Sequence, residues 1–161
     1  MSAAAIVANQ VEIVAFKPEH QQAFKDLNEE WISKYFKMEE ADYKALDHAQ
    51  EYIIDKGGHI LIALLDGEPV GTSAMVRMDD RSYELAKMSV SPKAHGQGIG
   101  KLLMESVIAK ARTLGANRLY IESNTCLVPA ISLYRRFGFV EITGNESPYE
   151  RCNIQLELFL D

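Results

Sequence analysis

The chain has 161 residues, 47% of them hydrophobic, which is material for one good core and hardly two, so a single domain over 1–161 is expected. Its net charge of −6 argues against nucleic acid as a partner and suits a cationic acceptor such as an amine, although that charge also simply aids solubility. Two cysteines, Cys126 and Cys152, are too few for a disulfide scaffold or a cysteine-built zinc site, so the expectation is no metal and a reducing cytoplasm. No apolar span is long enough for a membrane, and M-S-A-A-A-I-V-A at the start lacks the basic flank of a signal peptide.

In chain order, Val11, Ile13 and Ala15 alternate with Glu12 and Val14 as a short strand. Pro18 and Glu19 open a helix whose apolar residues are Phe24, Leu27, Trp31, Ile32 and Tyr35. A second helical stretch runs from about Glu40 to Ile54, and Gly57-Gly58 ends it. I60-L-I-A-L-L65 and V70-G-T-S-A-M-V76 read as strands joined by a turn at Asp66-Gly67, a strong hairpin signal. Asp79-Asp80-Arg81 makes another turn into a strand carrying Glu84 to Val90, with Leu85, Met88 and Val90 apolar.

Pro92 stops that strand, because proline lacks the amide a central strand needs. Glycines at 96, 98 and 100 follow, and the chain then enters a helix striped by Ile99, Leu102, Leu103, Val107, Ala111 and Leu114. Gly115 closes it. Arg118 to Glu122 is a strand broken by Asn124-Thr125. Pro129 starts a helix with Ala130, Leu133, Tyr134 and Phe137 on one face, and Gly138 stops it. Phe139 to Ile142 is expected to pair with the alternating final segment C152-N-I-Q-L-E-L-F159. The order βααβββαβαββ implies a mixed α/β sheet of about six to seven strands flanked by helices on both faces.

Strand, glycine loop and helix start together make an anion site, since bare backbone amides and the unpaired first turn of the helix point the same way. Two phosphate fingerprints fail. The dinucleotide pattern G-x-G-x-x-G from Gly96 meets Lys101 where Gly is needed, and the G-K-S/T loop meets Leu102 after Lys101. What remains, H95-G-Q-G-I-G100, resembles the R/Q-x-x-G-x-G/A pyrophosphate loop of the GNAT superfamily of N-acetyltransferases. A130-I-S-L-Y-R-R-F-G-F139 is similar to that family's A-x-x-L-Y-x-x-x-G-F segment. The specific motifs span residues 85 to 140, and strand order extends the likeness over the whole chain.

The resemblance implies the GNAT fold, acetyl-CoA as cosubstrate and transfer to a small-molecule or peptide amine. His95, Gly96, Gln97, Gly98, Gly100 and Lys101 would surround the pyrophosphate, mostly through main-chain N–H. Met88 and Val90 would pair with the pantetheine arm as another strand would, and one of their amides would polarise the thioester carbonyl. Asn124 would hydrogen-bond to the pantetheine, or merely form a turn. Tyr134 would be the general acid facing the sulfur, and Glu84 the base, directly or through water. His95 stands where Arg or Gln is usual in the family, and Leu127 where an asparagine is common.

Other readings stay open at this point. A non-catalytic acyl-CoA-binding or sensing domain would keep the loop without needing Tyr134 and Glu84. A covalent route through Cys126 lacks an evident activating histidine. Trp31, Tyr35, Phe36, Tyr83 and Tyr149 are candidate acceptor walls or plain core, and Asp47 and His48 candidate neighbours of the acceptor. The last strand offers an edge for a homodimer.

Overall fold

The computed structural model describes residues 10–160, so the reading of M-S-A-A-A-I-V-A lies outside the described residues. A seven-stranded sheet carries the molecule. Its strands are β1 (Val11–Ala15), β2 (His59–Leu65), β3 (Glu68–Asp79), β4 (Ser82–Val90), β5 (Arg118–Ser123), β6 (Val140–Ile142) and β7 (Ile154–Phe159), in the spatial order β1-β2-β3-β4-β5-β7-β6. Every neighbouring pair is antiparallel except β4 and β5, which run parallel. A parallel pair needs a crossover, and the long helix between those two strands supplies it.

Among the described residues, four α-helices complete the layers: α1 (Gln21–Tyr35), α2 (Glu40–Asp47), α3 (Ile99–Thr113) and α4 (Val128–Arg136). Phe24 and Ile32 of α1 pack with Leu46, Ile53, Ile60, Ile62 and Ala74 in one core. Leu103, Met104, Val107 and Ala111 of α3 pack with Leu61, Ala63, Met75 and Leu85 in another. Successive residues of β2 thus feed opposite cores, which is why its run I-L-I-A-L-L is apolar throughout. Asp66 and Gly67 both have positive φ, the geometry a two-residue hairpin turn with the twist of its strands requires.

The structure differs from the expected elements in four places. The last strand, β7, lies between β5 and β6, so the sheet edge on that side is β6 and not the final strand expected to offer an edge for a homodimer. The helical stretch from Glu40 breaks at His48 and resumes as a wide turn over Gln50–Ile54, where Asp55 N–H reaches the carbonyl of Gln50. Gln21 of α1 donates to the Leu46 carbonyl (2.6 Å), satisfying one of the acceptors that the break leaves open. On α3, Leu102 faces solvent while Met104 and Ile108 take up the buried stripe. On α1, Tyr35 is exposed and a fully buried Asn28 stands between Phe24 and Ile32.

Candidate active site

The parallel ladder of β4 and β5 is short. Ser82, Tyr83 and Glu84 pair with Arg118, Leu119 and Tyr120, and there the pairing stops. Part of the cause lies in β4 itself. Thr72 of β3 pairs with Ser89 and Ala74 with Ala86, so Lys87 and Met88 together stand opposite Ser73. This is a bulge, and Lys87 sits in it at φ +50, in the left-handed region where glycine is usual. Such a residue stores about 1–3 kcal/mol of strain and persists only where its surroundings over-determine it.

The bulge also shifts the side-chain alternation. Leu85, Met88 and Val90 face the core under α3, whereas Lys87 and Ser89 face α1 and α2, Ser89 donating to the Leu27 carbonyl (2.9 Å).

Where the strands part, a cavity of about 280 Å³ opens. It reaches both faces of the sheet: Ala130 and Tyr134 line it from the α3–α4 side, Trp31 and Phe36 from the α1 side. Of the residues singled out in the sequence, Glu84, Met88, Val90, Asn124 and Tyr134 come together on its walls.

Glu84 carries a carboxyl pushed up to about 7. Burial is the main cause, the nearby Glu122 carboxylate adds to it, and the Lys87 ammonium opposes it. Glu122 has both oxygens engaged, by the hydroxyls of Tyr120 and Ser147 at 2.8 Å each. Burial first, and then the bond to Glu122, push the Tyr120 phenol well above its usual range. Burial alone pushes Tyr134 up to about 12. At neutral pH the cavity therefore presents a carboxyl poised between its two states and a phenol that holds its proton.

The glycine loop lies beside this cavity at the mouth of α3, with His95, Gly96, Gln97, Gly98 and Lys101 exposed and Gly100 half-buried. Gly96 and Gly98 have φ of +82 and +74, and a Cβ at either would meet no atom within 4 Å. The requirement at both is conformational, and the space before the first amides of α3 is open. His95 Nε2 lies 3.0 Å from the Val90 carbonyl, tying the loop back to β4. Asn124 lines the cavity with its carboxamide committed elsewhere, donating to the Arg151 carbonyl (2.7 Å) and accepting from Cys126 N–H (2.9 Å). Those bonds are the turn-forming role.

Sequence reading missed a charge cluster at the α1 end. Asp42, wholly buried, accepts from Lys87 Nζ (2.5 Å) and, through both oxygens, from the Arg151 guanidinium (2.6 and 2.7 Å). Burial opposes its ionisation, but the two cations outweigh it and hold the carboxyl at about 2. The Tyr149 ring takes both cations, Lys87 Nζ at 4.6 Å and Arg151 Cζ at 4.4 Å from its centroid. The one signal in the sequence was Lys87, set between the apolar Ala86 and Met88 of β4. Among the candidate walls, Trp31, Tyr35, Phe36 and Tyr149 line the cavity, while Tyr83 is core. Asp47 pairs with Lys25 and, like His48, is not on the cavity wall. Among the described residues no helix is long and apolar enough to cross a membrane.

Known proteins resemble this chain in sequence and in fold. The sequence profile of the acetyltransferase (GNAT) family matches residues 20–139. An uncharacterised N-acetyltransferase of Mycobacterium tuberculosis H37Rv is 34% identical over 133 residues, covering 83% of this chain and 75% of its own length. An acetyltransferase of the GNAT family from Staphylococcus aureus Mu50 superposes with a TM-score of 0.85 at 20% identity, over 94% of this chain and all of the other. An N-acetyltransferase from Thermoplasma acidophilum, solved in complex with coenzyme A, superposes with a TM-score of 0.76 at 16% identity, over 94% and 99%. The glycine loop before α3, the cleft between two parting parallel strands and the profile match over most of the chain agree: this protein belongs to the acetyltransferase (GNAT) family.

Proposed function

We propose that this protein moves an acetyl group from acetyl-CoA to a primary amine by direct attack in a ternary complex. The observation that carries the reading is that Glu84 and Tyr134 line one cavity reaching both faces of the sheet. The acyl donor enters from the α3–α4 side and the amine from the α1 side, so the two meet where β4 and β5 separate.

The residues present fit a diphosphate-bearing thioester. Main-chain amides from His95 to Lys101 hold the diphosphate at the mouth of α3, where partial positive charge and unpaired donors coincide. Lys101 adds a side-chain cation from the first turn. Met88 and Val90 pair with the pantetheine arm through their backbone, and one of their amides meets the thioester carbonyl. Acetyl-CoA supplies the acetyl group, its thiolate leaving as the amine nitrogen takes its place.

The chain's own side chains move the protons. An alkylammonium has a pKa near 10 and attacks only after losing a proton. Glu84, held at about 7, is matched to accept that proton at neutral pH, directly or through water. Tyr134, held protonated by burial, donates to the departing sulfur.

Release of free thiol from acetyl-CoA across a panel of primary amines tests the reading. Amine-dependent release with a matching acetylated product supports it. Binding of acetyl-CoA without release for any amine would instead mark a non-catalytic acyl-CoA sensor.

A further inference from the structure

The strained conformation at Lys87 has an identifiable support. Trp31 Nε1–H donates to Asn28 Oδ1 (3.2 Å), Asn28 Nδ2–H donates to Thr72 Oγ1 (3.1 Å), and the Thr72 hydroxyl donates to the Lys87 carbonyl (3.0 Å). The second N–H of Asn28 goes to the Phe24 carbonyl (2.8 Å). Each direction is forced. An indole nitrogen only donates and a carbonyl only accepts, so the Thr72 proton must point at Lys87.

Asn28 and Thr72 are both wholly buried, so water cannot replace either partner. Position 28 lies between Phe24 and Ile32 on the buried stripe of α1, where an aliphatic residue would serve packing alone. A polar network in that place needs another purpose, and its last bond ends on the left-handed residue of the bulge.

We infer that Thr72, oriented by Asn28 and Trp31, is a positioning residue that holds the Lys87–Met88 bulge in the conformation that turns a β4 amide toward the thioester carbonyl. The inference rests on the acetyl-transfer reading above. Without the Thr72 bond the Lys87 carbonyl is a buried acceptor lacking that partner, and the backbone is free to relax toward φ below zero. The amide that follows turns with it. Trp31 also lines the cavity, so the wall that receives the amine is joined to the strand that polarises the donor through three hydrogen bonds.

Three substitutions separate the possibilities. Thr72→Val keeps the shape and removes the hydroxyl, Thr72→Ser keeps the hydroxyl, and Trp31→Phe keeps an aromatic wall without the indole N–H. The primary readout is the infrared carbonyl stretch of protein-bound acetyl-CoA labelled with 13C at that carbonyl, which needs no amine. In the wild-type complex the band lies below its position in solution. Thr72→Val returns it most of the way, Thr72→Ser retains the shift, and Trp31→Phe returns it in part.

With an amine substrate, Thr72→Val lowers kcat about 10- to 100-fold while KM for acetyl-CoA stays within about twofold. Should Thr72→Val not fold, the partial return in Trp31→Phe carries the test. A wild-type band position in both Thr72→Val and Trp31→Phe, or equal losses in the Val and Ser variants, overturns the positioning role and leaves acetyl transfer standing. Failure of the wild-type protein to bind acetyl-CoA overturns the acetyl-transfer reading instead.

Discussion

Glu84 and Tyr120 are the last residues at which β4 and β5 remain paired, and the cavity begins directly beyond them. The Glu84 carboxyl stands at that fork, close enough to Glu122 and Lys87 to feel both charges. Its protonation should therefore govern catalysis. With Glu84 in the proposed role of base, kcat/KM is expected to rise with pH through an apparent pKa near 7. Glu84→Gln removes that limb and lowers kcat by about 10²–10⁴, the usual contribution of a general base. A pH–rate profile of both proteins checks this, and an unchanged limb in Glu84→Gln would assign the ionisation elsewhere.

Glu122 raises the pKa of Glu84 through its negative charge, so Glu122→Gln shifts the same limb to lower pH. Linkage gives an independent check on Glu84. Its folded pKa exceeds the unfolded value, so from about pH 4.5 to 7 the folded protein binds more protons and the contribution to stability falls as pH rises. Urea midpoints measured across that range are expected to fall less steeply with rising pH in Glu84→Gln than in the wild type.

Tyr134→Phe keeps the ring that packs at 6.0 Å from Phe139 and deletes only the hydroxyl. The expected result is a kcat lowered by about 10²-fold, with acetyl-CoA affinity by calorimetry within about twofold. Full turnover in this variant would remove Tyr134 from the mechanism.

At Gly98, two substitutions separate strain from charge. Gly98→Ala meets no neighbouring atom but must hold φ +74, which costs about 1 kcal/mol of stability and leaves acetyl-CoA binding measurable. Gly98→Glu carries the same backbone cost and adds a negative charge before the α3 amides, so binding is lost. Titration calorimetry alongside thermal melts distinguishes the two.

Asp42→Asn leaves Lys87 and Arg151 without their shared anion. Removing one member of a buried ion cluster costs about 3–5 kcal/mol, so a drop in Tm of about 6–20 °C is expected. The wild-type Asp42 carboxyl is lowered to about 2, so its contribution to stability is complete above about pH 4 and is lost as pH falls toward 2. A Tm that stays within one or two degrees in Asp42→Asn at pH 7 would show the cluster to be energetically neutral.

The loop, the motif helix and the strand order were legible because their signals are local. Pro92 ends β4, Gly96 and Gly98 supply positive φ, and Ile99, Leu103, Val107 and Ala111 follow at helical spacing. Even the bulge left a trace. Leu85, Met88 and Val90 are spaced by three and then two, and a strand that keeps one face buried over such a step must carry an extra residue. The helix expected from Glu40 to Ile54 failed at His48 because its break is stabilised by Gln21, a residue 25 positions from Leu46.

The partners of Asp42 lie 45 and 109 residues away, and Asn28 reaches Thr72 across 44. Nothing near Asp42 in the chain marks it as buried, since a polar residue on a helix normally faces water. Asn28 stands on the stripe of Phe24 and Ile32, but its partner there is not legible from its neighbours. Family, order of elements and the glycine turn before α3 can be read along the chain, because backbone conformation and hydrophobic period depend on neighbours a few residues apart. Which carboxyl is buried beside another, where two strands part and which polar groups close on one another depend on the assembled fold. Burial and charge proximity arise between segments that meet only once the sheet is assembled.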